Sequence, residues 1–187
     1  MKINKISYWI YLTSIFLILA LPLLNLSPLF FPGPWAQSVS FRIIFAILLF
    51  LFLKDILLKP SYPQYIKDKV LSIPYFVSVP LAGYLLFVML STIFALEPGF
   101  SFWGSPYRGD GSLNSILYIL FAFFTYIIIK KEDWKKIWAF AIMVGCLVSL
   151  IAVAQQFHLL SESVLVPYSD RPPSTLGNTN FLSAYLI

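Results

Sequence analysis

A chain of 187 residues that is 59% hydrophobic and only 11% charged, with mean hydropathy +0.83, carries too little charge to cover a water-soluble domain of that length. One cysteine and one histidine exclude a disulfide framework and a Cys/His metal cluster. The net charge of +5 does not point to nucleic acid, because the lysines fall in short clusters between apolar segments and membrane topology accounts for them.

The reading is therefore an all-α, polytopic integral membrane protein, with five transmembrane helices, the start of a sixth, and a single membrane domain over 1–187. A helix needs about 20 mostly apolar residues to cross a hydrocarbon core. The first such segment is 8–24, behind Lys2 and Lys5. It has the charged start of a signal peptide, but the apolar stretch is long and no A-x-A cleavage site follows, so a retained anchor is expected. An uncharged outer loop, 25–40, comes next, with Phe30, Phe31 and Trp35 suited to the membrane interface. Its Asn25-Leu26-Ser27 sequon abuts the span and carries little weight.

The second span, 41–58, is interrupted at its inner end by Lys54 and Asp55, where the lysine can snorkel. The third covers 73–96. The outer loop after it, 97–112, reads EPGFSFWGSPYRGDGS. Its glycines (Gly99, Gly104, Gly109, Gly111) allow tight turns around Trp103, Tyr107 and Arg108. Aromatic faces beside a guanidinium can stack on a sugar while the cation holds a phosphate. An interface belt with turn residues is the alternative, and the Arg-Gly-Asp triplet is read as coincidence. The fourth and fifth spans are 113–129 and 137–157. On the fifth, Ala141, Gly145 and Ser149 form a small-residue stripe suited to close helix packing. Gln155, Gln156 and His158 close its outer end, able to bond a neighbouring helix or line a cavity; His158 as a catalytic base is a weaker reading.

Every lysine falls on one side of this scheme: Lys2 and Lys5, then Lys54, Lys59, Lys67 and Lys69, then Lys130, Lys131, Lys135 and Lys136. The positive-inside rule makes that side, and the N-terminus, cytoplasmic. The arginines, Arg42, Arg108 and Arg171, fall on the other side. Arg42 reads as a snorkelling helix-start residue. For Arg108 and Arg171 two readings stand: pairing with Asp110 and Asp170, or contact with an anion through the planar guanidinium fork.

The third outer loop, 158–179, ends in RPPSTLGNTNF (171–181), the longest polar run of the chain. Gly177 can take positive φ, and Asn180 is a good N-cap for a sixth span opening at Phe181. Arg171, Ser174, Thr175 and Asn178 would then converge with free N–H groups and the positive end of a helix dipole, an arrangement that suits an anion. An ordinary capped helix start is the alternative.

The outer loop F-W-G-S-x-x-R-x-x-G (102–111), a span ending Gln-Gln-Phe, and Arg171 followed by S-T-L-G-N-T-N-F (174–181) together resemble the O-antigen ligase family. That superfamily also holds O-antigen polymerases and protein O-oligosaccharyltransferases, and typically shows R-x-x-G-T-x-G-N-P-N-F here. Ser174 stands for the first glycine and Thr179 for the proline. The likeness covers the second half of the chain best.

The resemblance implies a multi-pass enzyme of the bacterial cytoplasmic (inner) membrane, working in surface polysaccharide or lipopolysaccharide biosynthesis. It would move a glycan from an undecaprenyl-pyrophosphate carrier to a hydroxyl of an acceptor glycan, lipid A core or protein, on the extracytoplasmic side. No metal or other cofactor is implied; cationic groups neutralise the pyrophosphate leaving group. Carried over by position, the substrate-binding residues are Arg171, Ser174, Thr175, Asn178 and Asn180, with Arg108 and Trp103 as weaker candidates and Gly177 and Asn180 as turn and cap. The family's general base and large outer loop lie in a C-terminal half that this sequence lacks, so a fragment inactive alone is expected. A polymerase of the same superfamily is one alternative. A lipid-linked sugar transporter or flippase is another, disfavoured because spans one, three, four and five carry no charge near their centres. A non-catalytic scaffold has no positive support.

Overall fold

The computed structural model describes residues 4–24, 33–58, 62–105, 111–157, 159, 174–176 and 179–187. All regular structure among the described residues is helical. The α-helices are α1 (Lys5–Ala20), α2 (Gly33–Leu58), α3 (Tyr62–Leu71), α4 (Tyr75–Ile93), α5 (Pro98–Trp103), α6 (Ser112–Ile128), α7 (Trp134–Gln156) and α8 (Thr179–Leu186). Short 3-10 turns cover Leu21–Leu23, Lys131–Asp133 and Ser174–Leu176.

Among the described residues, three helical segments are long and apolar enough to cross a membrane: Lys5–Leu23, Tyr75–Ile93 and Lys131–Gln156. The fourth expected span is α6, a shorter apolar helix, and the second lies inside α2. Prolines punctuate these elements as their chemistry requires. Pro22 sits in the 3-10 turn that ends α1, Pro34 and Pro63 occupy the first turns of α2 and α3, and Pro74 precedes α4. Pro80 is internal to α4, where its missing N–H leaves one helical bond unmade.

The helices depart from the hydropathy spans at four places. α2 begins at Gly33, so Trp35, Gln37 and Ser38, expected in the outer loop, are helical. That stretch has no charge, and its proline falls where a helix tolerates one. α3 and α5 occupy loops in which no helix was expected; both are too short to show in a twenty-residue window. α8 begins at Thr179, two residues ahead of Phe181.

The chain divides into two compact units, Met1–Tyr11 with Phe45–Ile129, and Leu12–Ile44 with Lys130–Ile187. In the first, Phe124 is an aromatic hub. The rings of Tyr11, Phe45 and Phe52 meet it edge-on at centroid distances of 5.5, 6.1 and 5.4 Å, the arrangement that ring quadrupoles favour. The Tyr11 hydroxyl donates to buried Asp55 at 2.9 Å, so the carboxylate that interrupts the second span has a hydrogen-bonded place. In the second unit, Val144, Val148 and Ala152 of α7 pack with Leu176 and Leu182, flanked by Leu23 and Phe140. Elsewhere large apolar side chains are exposed along the helices, and α4 buries none of its residues. Such a surface suits lipid rather than water.

Candidate functional site

The Ser174–Leu176 turn is buried and carries two hydroxyls into the second unit. Buried polar groups must be paired, and here the pairing is made with main-chain carbonyls. Ser174 Oγ donates to the Val148 carbonyl of α7 at 2.7 Å. The Gln155 side chain, itself 1% exposed, takes the Ser174 N–H on Oε1 at 2.7 Å, and its Nε2 donates to the Ser174 carbonyl at 3.4 Å. Thr175 Oγ1 donates to the Pro22 carbonyl.

The carbonyls that end a helix lack partners within it, and the end of α1 shows how they are met. Gln37 Nε2 faces Pro22 O at 3.5 Å, Leu24 O at 3.3 Å and Thr175 O at 3.3 Å. An amide nitrogen has two hydrogens, so the three acceptors share them. The turn is thus tied to α7 through Gln155 and to the α1 end and α2 through Thr175 and Gln37. Ser174 has φ 54°, the left-handed region that favours glycine. A serine is held there by bonds at its N–H, carbonyl and hydroxyl.

This geometry gives the two hydroxyls partners within the protein. Ser174 and Thr175 each have one hydroxyl hydrogen, and each gives it to a carbonyl, so neither has one left to donate to an anion. Asn180 lies within the first turn of α8 rather than at its N-cap, is exposed, and offers its carbonyl to Ser183 Oγ at 3.1 Å. Arg171, Gly177, Asn178 and Arg108 lie outside the described residues, as does His158. Gln37 was missed. It is the one glutamine of an uncharged stretch, and reading Pro-Trp-Ala-Gln as a first helical turn would have found it.

Trp103 belongs to the first unit, at the end of α5, 61% exposed and edge-on to Phe102. The loop that follows it is closed at its base. Gly104 has φ 74°, and a Cβ on Gly111 would lie 2.3 Å from Gly104 N and 2.4 Å from Phe102 O, so only glycine fits there. Ser112 Oγ bonds Thr92 Oγ1 and donates to Ser101 O at 3.2 Å, fixing this base to α4 and α5. Arg108 lies between Gly104 and Gly111 in sequence.

Among the described residues, no group of three or more His, Cys, Asp or Glu could hold a metal ion. No known protein family, curated protein or solved structure matches this chain.

Proposed function

We propose that the chain belongs to an O-antigen ligase-like glycosyltransferase of the bacterial inner membrane, with five spans, its N-terminus in the cytoplasm, and its arginine-bearing loops on the outer side. The reaction is transfer of a glycan from an undecaprenyl-pyrophosphate carrier to an acceptor hydroxyl. The supporting observation is the Ser174–Leu176 turn. It is buried and tied through Gln155 and Gln37 to α7 and the α1 end, so the chain flanking Arg171 and the Gly177–Asn178 pair has a fixed anchor. An anchored turn limits reorganisation when charge develops on a departing pyrophosphate, the condition under which a cation contributes most. With the hydroxyls of Ser174 and Thr175 committed, the anion contact falls to Arg171, with Arg108 as its second.

In the full-length protein, in membranes supplied with a lipid-linked glycan, Arg171→Ala should abolish transfer while insertion stays normal. Arg171→Lys, which keeps charge but loses the fork, should retain a fraction of it. Wild-type transfer in Arg171→Ala would sink the proposal.

A further inference from the structure

Helix α3 has no role in that reading, yet it is held firmly against the first unit. Tyr62 is buried and its ring meets Phe52 of α2 at 6.2 Å. Tyr65 donates from its hydroxyl to the Ile127 carbonyl at the end of α6, 3.1 Å away. The Lys69 ammonium lies 5.3 Å from the centre of the Tyr126 ring, and Ser72 Oγ bonds the Tyr126 hydroxyl at 3.1 Å. Residues 62, 65, 66 and 69 share one face at helical spacing, and that face is the one on the protein.

The remaining surface divides in two. Gln64 and Asp68, joined side chain to side chain at 2.8 Å, are exposed and polar. Between that pair and the protein-facing side lie Lys67 and Val70, also exposed, and Leu71, 73% accessible, lies at the edge next to Gln64. The same unit leaves Leu57 and Leu58 exposed where α2 ends, and Tyr75 and Phe76 exposed where α4 begins. Open apolar side chains beside a lysine, in a unit whose apolar helix ends are also uncovered, match the membrane interface, where acyl carbons meet phosphate.

We propose that α3 is an interfacial anchor. Val70 and Leu71 enter the acyl boundary, and Lys67 contacts the phosphate of anionic phospholipid headgroups on the lysine-rich side of the membrane. Lys69 is engaged with Tyr126, which leaves Lys67 as the lipid-facing cation of this helix. Asp68 points to the aqueous side with Gln64, away from the headgroup phosphates it would repel.

The test uses the whole chain in nanodiscs of phosphatidylcholine with a minor share of phosphatidylglycerol. In a Cys146→Ser background, a fluorophore on Val70→Cys should be quenched by shallow spin-labelled lipids and shielded from aqueous iodide, and one on Asp68→Cys, on the opposite side of the helix, should behave the reverse way. Enrichment of phosphatidylglycerol in the lipid retained by the protein should fall about fivefold in Lys67→Gln, the ~1 kcal/mol that a lysine gains at an anionic surface. Lys67→Arg should restore it. Iodide quenching at position 70, or equal enrichment in wild type and Lys67→Gln, would overturn the proposal. Neither readout depends on glycan transfer, so this inference and the proposed activity fail separately.

Discussion

Gln155 and Ser174 grip each other through both ends of one amide, the Gln155 oxygen on the Ser174 N–H at 2.7 Å and its nitrogen on the Ser174 carbonyl at 3.4 Å. The pair is buried, so water cannot replace either bond. It turns a loop segment into part of the packed interior, and Val144, Val148, Leu176 and Leu182 close around it.

Removing that amide leaves a buried N–H and C=O unpaired, a loss of about 1–3 kcal/mol. Gln155→Leu, similar in size, should be destabilised by this amount in a denaturant titration of the purified protein in detergent. Gln156→Leu, one residue on and exposed, should change little. Equal stability for Gln155→Leu and wild type would mean that the clamp does not hold the turn.

Ser174 separates backbone conformation from hydrogen bonding. Alanine keeps the left-handed strain and loses the bond to Val148, whereas glycine loses the same bond but relieves a strain of about 1–2 kcal/mol. Ser174→Gly should therefore be more stable than Ser174→Ala by roughly 1 kcal/mol. The reverse order would refute the positive φ.

At Gly111 an added methyl meets backbone atoms of Phe102 and Gly104 that have no rotamer to yield. Gly111→Ala should be destabilised by about 1–3 kcal/mol, as overpacked sites are. Gly83→Ala, on an open face of α4 with nothing within 4 Å, should be neutral or slightly stabilising. The comparison needs only the two unfolding midpoints.

Burial, then the Asp55 charge, then Tyr65, push the Tyr62 phenol from 10.0 up to about 12. The folded state thus holds this proton more tightly than the unfolded chain does. Stability from keeping Tyr62 neutral is complete below pH 10 and is lost as pH rises from 10 towards 12. Tyr62→Phe should leave stability at neutral pH nearly unchanged and shift alkaline unfolding upward. An unchanged alkaline midpoint in Tyr62→Phe would exclude this ionisation as a contributor.

Sidedness is open to direct chemistry. In the Cys146→Ser background, Gly99→Cys should react with a membrane-impermeant maleimide on intact cells and Gln64→Cys only after lysis. Thr175 would be a poor reporter, because it is buried whichever side it faces. Reversed labelling would overturn the orientation and, with it, the outer position of the arginine loops.

Hydropathy and proline placement by themselves determined that this chain is helical and apolar enough for a membrane, and roughly where its long helices run. Both are properties of contiguous residues, since a helix satisfies its own backbone and needs only an apolar surface to meet lipid. Tertiary structure alone decided what the polar residues do. Thr175 finds Pro22 153 positions away and Gln37 finds Thr175 at a separation of 138, so neither bond leaves a local trace. The sequence marked Ser174 and Thr175 as polar and out of place, which suggested a ligand. Folding turned their hydroxyls toward helix-end and helix carbonyls, because a buried hydroxyl satisfies itself with the nearest main-chain oxygen. The turn they fix keeps its place beside Arg171 in the chain.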